Sequence, residues 1–251
     1  MSVTGPSLVG VPGSVPGHPA RRVRTRDARV KYSGIDMTAS PKSPNRWSLS
    51  IGDLTQAAVF AALIAALGLP GTINIGTSGV PITLQSLGVI LAGAVLGPKK
   101  GTLAVIIFMV LAIAGLPILS GGRNGLTALS SPTAGYFIGF LPAVIVIGVL
   151  TAIMVSTGST GGKAGSGKYR VLWGIGINAL GGIVVLYACG VLGLLIRTDL
   201  TVWAAITTNG PFIPGDIAKV VIAALVAAQV HRGRPGLIEP LRPRRAGSVA
   251  G

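Results

Sequence analysis

The sequence predicts an all-α membrane protein: a bundle of six transmembrane helices with both termini in the cytoplasm. Three observations predict it. Half of the 251 residues are hydrophobic, the mean hydropathy is +0.72 and only 11% are charged, against about 25% in a soluble domain. The charges gather in the two ends of the chain and a few connections, leaving uncharged stretches close to the roughly 20 residues that cross a hydrocarbon core. The positive charges also recur on alternate connections, as the orientation rule for membrane helices requires.

Residues 1–46 read as a disordered basic cytoplasmic arm, where Pro6, Pro12, Pro16, Pro19, Pro41 and Pro44 interleave with Gly, Ser and Arg and no apolar period develops. Residues 47–231 form the membrane domain, and residues 232–251 a basic cytoplasmic tail. Within the domain, apolar segments cover about 53–69, 82–97, 102–119, 134–155, 171–196 and 212–230. The second is short, and the Gly-, Thr- and Asn-rich stretch before it (71–83) predicts non-helical backbone at membrane depth. Such backbone is tolerated only where protein or a cavity satisfies it.

Topology follows from the cations. Eighteen of the 21 Lys and Arg fall in the arm, in the connection holding Lys99 and Lys100, in that holding Lys163, Lys168 and Arg170, and in the tail. The opposite side has Arg123 and Arg197, and Lys219 lies inside the sixth segment. A formal charge of +15 is thereby explained by topology and contact with membrane lipid headgroups, with no need for nucleic acid.

Several chemistries are excluded. Cys189 is the single cysteine, so there is no intramolecular disulfide or Cys-rich metal site. His18 and His231 fall in the polar ends of the chain, which removes a membrane-embedded Ser-His pair or HExxH zinc site. The loop GGKAGSGKY (161–169) approximates a phosphate-binding loop, but Tyr169 stands where Ser or Thr would hold magnesium and no strand precedes it. It reads as a flexible linker.

Segment one carries two ladders of small residues four apart, Ala57, Ala61, Ala65 and Ala58, Ala62, Ala66. Small residues at this spacing admit a second helix, from the same chain or a partner. Three polar, glycine-rich stretches (76–85, 119–136 and 209–219) converge on the extracytoplasmic side and carry Arg123, Asp216 and Lys219. An ionisable residue at membrane depth costs about 2.5–3.5 kcal/mol and requires a reason. Asp216 and Lys219, three apart, form either a self-satisfied pair or a site in which the carboxylate accepts ligand N–H bonds and the ammonium donates to a ligand oxygen. Arg123, between Gly122 and Gly125 in GGRNG, is either a loop charge or a bidentate carboxylate clamp.

The stretches VPITLQSLGVILAGAVLGPKKG (80–101), AGLPILSGGRNGLTALSSPTAGYFIGF (114–140) and GPFIPGDIAKVVIAA (210–224) resemble the BioY family, the biotin-specific substrate-binding (S) components of energy-coupling factor (ECF) transporters. The resemblance spans about 54–230. It implies a multi-pass protein of the cytoplasmic membrane that captures biotin without enzyme chemistry or cofactor. It also implies partners: a transmembrane coupling protein and two cytoplasmic ATPases. Ligand contacts carry over to Asp216, Lys219, Arg123, Thr83 and Gln85, and coupling-protein docking to the ladder Ala57, Ala61, Ala65 with Ala58 and Ala62. The chain departs from the usual family pattern at Asn124, Ser131 and Ala134, where glycines are common. The alternatives are an S component for another small vitamin and a membrane-embedded transferase; the second lacks a catalytic His or clustered carboxylates in the spans.

The composition of the arm generates one prediction. Deleting residues 1–36, which leaves Met37, Lys42 and Arg46 to hold the cytoplasmic start, should leave membrane insertion and ligand binding unchanged. Fractionation and a thermal-shift titration check this, and loss of ligand binding by the truncated protein would contradict the disorder reading.

Overall fold

The computed structural model describes residues 49–69, 83–157 and 169–238, all within one compact unit, Trp47–Gly251. The arm, most of the 71–83 stretch and the glycine-rich loop 161–168 lie outside the described residues. These are all-helical, apart from one isolated bridge between Leu119 and Arg123.

Helix α1 (Ile51–Ala66) begins on a reciprocal cap: Ser50 Oγ accepts from the Asp53 N–H at 3.1 Å, and Asp53 Oδ2 accepts from the Ser50 N–H at 3.0 Å. Its two alanine ladders part. Ala57 and Ala61 are buried within the chain's own core, at 0% and 3% exposure, whereas Ala58, Ala62 and Ala66 face outward. The inward ladder lets α1 pack closely within the bundle, so Ala57 and Ala61 present no surface to a partner. The docking expectation is corrected for those two residues, and Ala65 is only half-buried.

Helix α2 (Gln85–Leu91) continues through a π-helical turn (Ala92–Leu96) and meets α3 (Gly97–Ile113) at Gly97, whose φ is +76°. There the chain folds back on itself, since a Cβ on Gly101 would lie 2.5 Å from the Ala92 carbonyl oxygen. An unbroken helix would hold residues nine apart more than about 13 Å from each other. Pro98 opens the first turn of α3, a position where its missing N–H costs nothing. Lys99 and Lys100 therefore stand on α3 rather than in a loop. Lys100 is buried, donating to Gln56 Oε1 at 3.0 Å and the Leu237 carbonyl at 2.9 Å, with Asp53 Oδ1 at 3.5 Å.

Helix α3 ends at Ile113, short of the expected 119, because Gly115 (φ +105°) and Pro117 break the ladder. Short α4 (Gly125–Ser130), which hydropathy does not reveal, follows. Helix α5 (Ala134–Thr157) includes Pro142. Helices α6 (Val171–Ala179) and α7 (Leu186–Arg197) run continuously through a second π turn, Leu180–Val185. Short α8 (Val202–Thr207) and a 3₁₀ turn (Gly210–Phe212) lead into α9 (Ile213–Gly233).

Among the described residues four helical stretches are long and apolar enough to cross a membrane: Gln85–Ile113, Ala134–Ser156, Val171–Arg197 and Val202–Gly233. The first is the one that folds back at Gly97. The core gathers Phe108, Phe137, Phe140 and Ile147, with both aromatic pairs at 6.4 Å between ring centroids.

His231 does not lie in a polar tail. It is buried in the last turn of α9, with Nε2 2.9 Å from the Ala94 carbonyl and its ring stacked on Tyr169 at 5.2 Å. Pro98, four residues after Ala94, has no N–H to offer that carbonyl. A carbonyl only accepts, so the imidazole proton sits on Nε2. Tyr169 is packed into the protein, and burial raises its hydroxyl pKa to about 12. Leu237 and Ile238, past the end of α9, also pack on the core, and Ile238 covers Gly97.

The fold-back at Gly97 yields a stability prediction. Gly101→Ala forces a Cβ against backbone and should destabilise the detergent-solubilised protein by about 1–3 kcal/mol or more. Gly176→Ala, where a Cβ meets nothing within 4 Å, should be neutral or stabilising by about 0.4–1 kcal/mol. Paired thermal melts followed by size-exclusion chromatography check both; equal Tm values would refute the hairpin packing.

Candidate ligand-binding site

The cavity lies where α2, α5 and α9 begin. Counted with its open mouth and the solvent space there, it spans about 710 Å³. Thr83, Gln85, Arg123, Asp216 and Lys219 all line it, so the structure brings the five expected ligand-binding residues together.

Asp216 occupies the first turn of α9, where the helix dipole favours a carboxylate. Lys219 lies one turn later. Both are 6% exposed, and their charged atoms are 2.6 Å apart. Lys219 Nζ also donates to the Thr83 carbonyl at 2.6 Å and to Ser86 Oγ at 3.1 Å. An ammonium has three N–H bonds, and all three are committed to protein. The expectation that Lys219 donates to a ligand oxygen is therefore corrected: it ties α9 to the start of α2 and neutralises Asp216. The second carboxylate oxygen, Oδ2, accepts from the Tyr187 hydroxyl at 2.5 Å.

Arg123 comes from the turn between α3 and α4. Gly121 and Gly122, at φ +77° and +70°, let that turn close so that the Leu119 N–H reaches the Arg123 carbonyl at 3.0 Å. Among the described residues two of its five guanidinium N–H bonds are engaged, Nε to the Ser120 carbonyl and Nη1 to Thr133 Oγ1, both at 3.3 Å. Thr133 lies 2.7 Å from Ser131 Oγ, which donates to the Ala128 carbonyl at 2.8 Å. Ser131, a departure from the usual glycine, thus helps to orient the arginine. Asn124, another, caps α4 by accepting from the Thr127 N–H at 2.8 Å.

Gln85 is buried, its amide nitrogen donating to the Ile64 and Ile118 carbonyls at 3.3 and 2.9 Å. It braces the end of α1 and the chain before Arg123. Thr83 Oγ1 accepts from the Gln85 N–H at 3.0 Å. Both residues shape the wall, with these polar groups held by backbone.

Sequence reasoning missed the aromatic lining: Tyr136, Phe137, Phe140, Tyr187 and Phe212. Tyr136 donates to Asn209 Oδ1 at 2.7 Å. Tyr136 lies inside one of the polar stretches and could have been found. Tyr187 sits in an apolar run just after the π turn, which displaces later side chains by roughly 100° from their α-helical positions. No sequence signal marks it.

Among the described residues there is no group of three or more His, Cys, Asp or Glu placed to hold a metal. The lining offers an acceptor-rich wall at Asp216, a guanidinium at Arg123 and aromatic faces. That combination suits a small, largely apolar organic acid bearing N–H donors.

Comparison with known proteins gives the same direction. The family model described as "BioY family" matches residues 38–236. A protein of Rhodobacter capsulatus named "Biotin transporter BioY" is 43% identical over 196 residues, covering 74% of this chain and 96% of its own length. One of the same name from Rhizobium etli is 43% identical over 198 residues, covering 79% and 100%. Among solved structures, the S-component for biotin from an ECF-type ABC transporter superposes with a TM-score of 0.67 at 30% identity, covering 76% of this chain and 97% of that one. With a match over most of its length and the membrane-spanning helices in place, the chain belongs to the BioY family.

Proposed function

We propose that the chain binds biotin in this cavity and serves its uptake across the cytoplasmic membrane as the S component of an ECF-type transporter. One observation carries the reading: a carboxylate and a guanidinium open onto the same aromatic-lined cavity. Biotin presents a ureido ring with two N–H donors and a carbonyl, an apolar sulfur ring and chain, and a carboxylate. Asp216 meets the ureido N–H groups, Arg123 the carboxylate, and Phe137, Phe140 and Phe212 the apolar middle. Thr83 and Gln85 complete the wall, and Lys219 holds Asp216 in register. The protein is a transport component, not an enzyme, and needs no cofactor.

In this reading six spans are formed by α1, α2 with its π turn, α3, α5, α6 with α7, and α9, and both termini are cytoplasmic. The distribution of Lys and Arg supports that orientation. A transmembrane coupling protein and two cytoplasmic ATPases are the partners. The outward ladder Ala58, Ala62 and Ala66 of α1 offers the coupling protein a surface of small side chains.

Thermal stabilisation of the purified protein across a panel of vitamins tests the ligand. Biotin at 100 times its Kd should add about 2.7 kcal/mol of stability by mass action; stabilisation by another vitamin and not by biotin would overturn the reading. Arg123→Ala should weaken biotin by about 1.5–3 kcal/mol yet leave a biotin amide, which lacks the carboxylate, nearly unaffected. Calorimetric titration of both ligands decides, and equal losses would remove Arg123 from the carboxylate. For docking, Ala62→Leu should preserve biotin binding and abolish co-purification with the coupling protein. Ala61→Leu should instead disrupt folding, because its side chain points into the core.

A further inference from the structure

Asp216 lies beside a lysine ammonium whose three N–H bonds end on Asp216, the Thr83 carbonyl and Ser86 Oγ. Lys219 Nζ donates to Oδ1 at 2.6 Å, and in both of its contacts the Asp216 carboxylate serves as the acceptor. The Tyr187 hydroxyl, 2.5 Å from Oδ2, must be the donor in that contact. It has one proton, and Asp216 holds it. What Tyr187 has left for the cavity it lines is an oxygen lone pair.

The second phenol is fixed in the same sense. The Asn209 amide nitrogen donates to the Ala205 and Ile206 carbonyls at 3.1 and 3.4 Å, which turns its oxygen toward Tyr136. The Tyr136 hydroxyl donates to that oxygen at 2.7 Å. Both phenol hydroxyls of the cavity wall therefore have their protons directed into the protein. Together with Asp216 they form an edge made only of acceptors.

We propose that Tyr187 is a specificity-determining residue, whose oxygen, its proton held by Asp216, accepts an N–H bond from the ligand beside the carboxylate. This rests on the reading of the cavity as a ureido site. The acceptor edge admits a group with adjacent N–H donors and disfavours any ligand whose matching face carries only acceptors. A ligand carboxylate is turned away from it, toward Arg123. Selection is made at the nitrogen hydrogens, so replacing the ring sulfur should matter little.

The test compares the parent protein with Tyr187→Phe, titrating each with biotin and with two analogues methylated at one or the other ureido nitrogen. For biotin the variant should bind about tenfold more weakly, the equivalent of one neutral hydrogen bond. For the analogue methylated at the nitrogen facing Tyr187, parent and variant should bind alike, because the bond is absent in both. If the parent-to-variant ratio is the same for all three ligands, Tyr187 acts only by packing or by orienting Asp216, and the proposal falls while biotin binding stands. A parent that does not bind biotin overturns the ureido reading and this inference with it. Should Tyr187→Phe fail to fold, Tyr187→Met, also without a hydroxyl, is read in the same way.

Discussion

A buried ammonium with all three of its N–H bonds directed to acceptors organises the cavity end of the bundle. Lys219 joins the first turns of α9 to Thr83 and Ser86 at the start of α2 and neutralises the carboxylate that faces the cavity. Removing one partner from a buried pair leaves the other charge unsatisfied, at a cost of about 3–5 kcal/mol. The arrangement is therefore closed in the protein's own terms before a ligand arrives. Asp216 retains lone pairs for the cavity because Lys219 and Tyr187 use only part of its acceptor capacity.

The opposite end is built on a different constraint. The helix pair turns at a single glycine, and Pro98 leaves the Ala94 carbonyl without the N–H an α-helix would supply. His231 from α9 meets that need at Ala94, and Lys100 of α3 donates outward to the Leu237 carbonyl and Gln56. These contacts bind α1, α3, α9 and the segment after α9 into one polar seal.

How much of this could be read from the sequence depends on whether the interaction has a residue-type signature. Asp216 and Lys219 stand out because charge at membrane depth is expensive, Arg123 by its glycine-rich setting, and all three line the cavity. The role of Lys219 was not legible, since its partners include a backbone carbonyl, which every residue possesses. Tyr187 was hidden by the π turn before it, as a period of 3.6 residues misassigns the faces beyond. The alanine ladders were legible as close-packing surfaces, but spacing alone does not say which ladder faces inward. His231 was misplaced because hydropathy weighs a residue by type, and an imidazole bonded to a carbonyl is comfortable inside.

The packing of Leu237 and Ile238 bears on where this membrane domain ends as a physical object. Hydropathy draws the boundary at the close of the apolar run, near residue 230. The structure extends it, because the Leu237 carbonyl accepts from a buried lysine and Ile238 lies over the Gly97 turn. A truncation or fusion junction made at the apparent end of the last span would strip an acceptor from Lys100 and uncover the hairpin. For protein engineering, a C-terminal junction that keeps these contacts lies no earlier than Ile238.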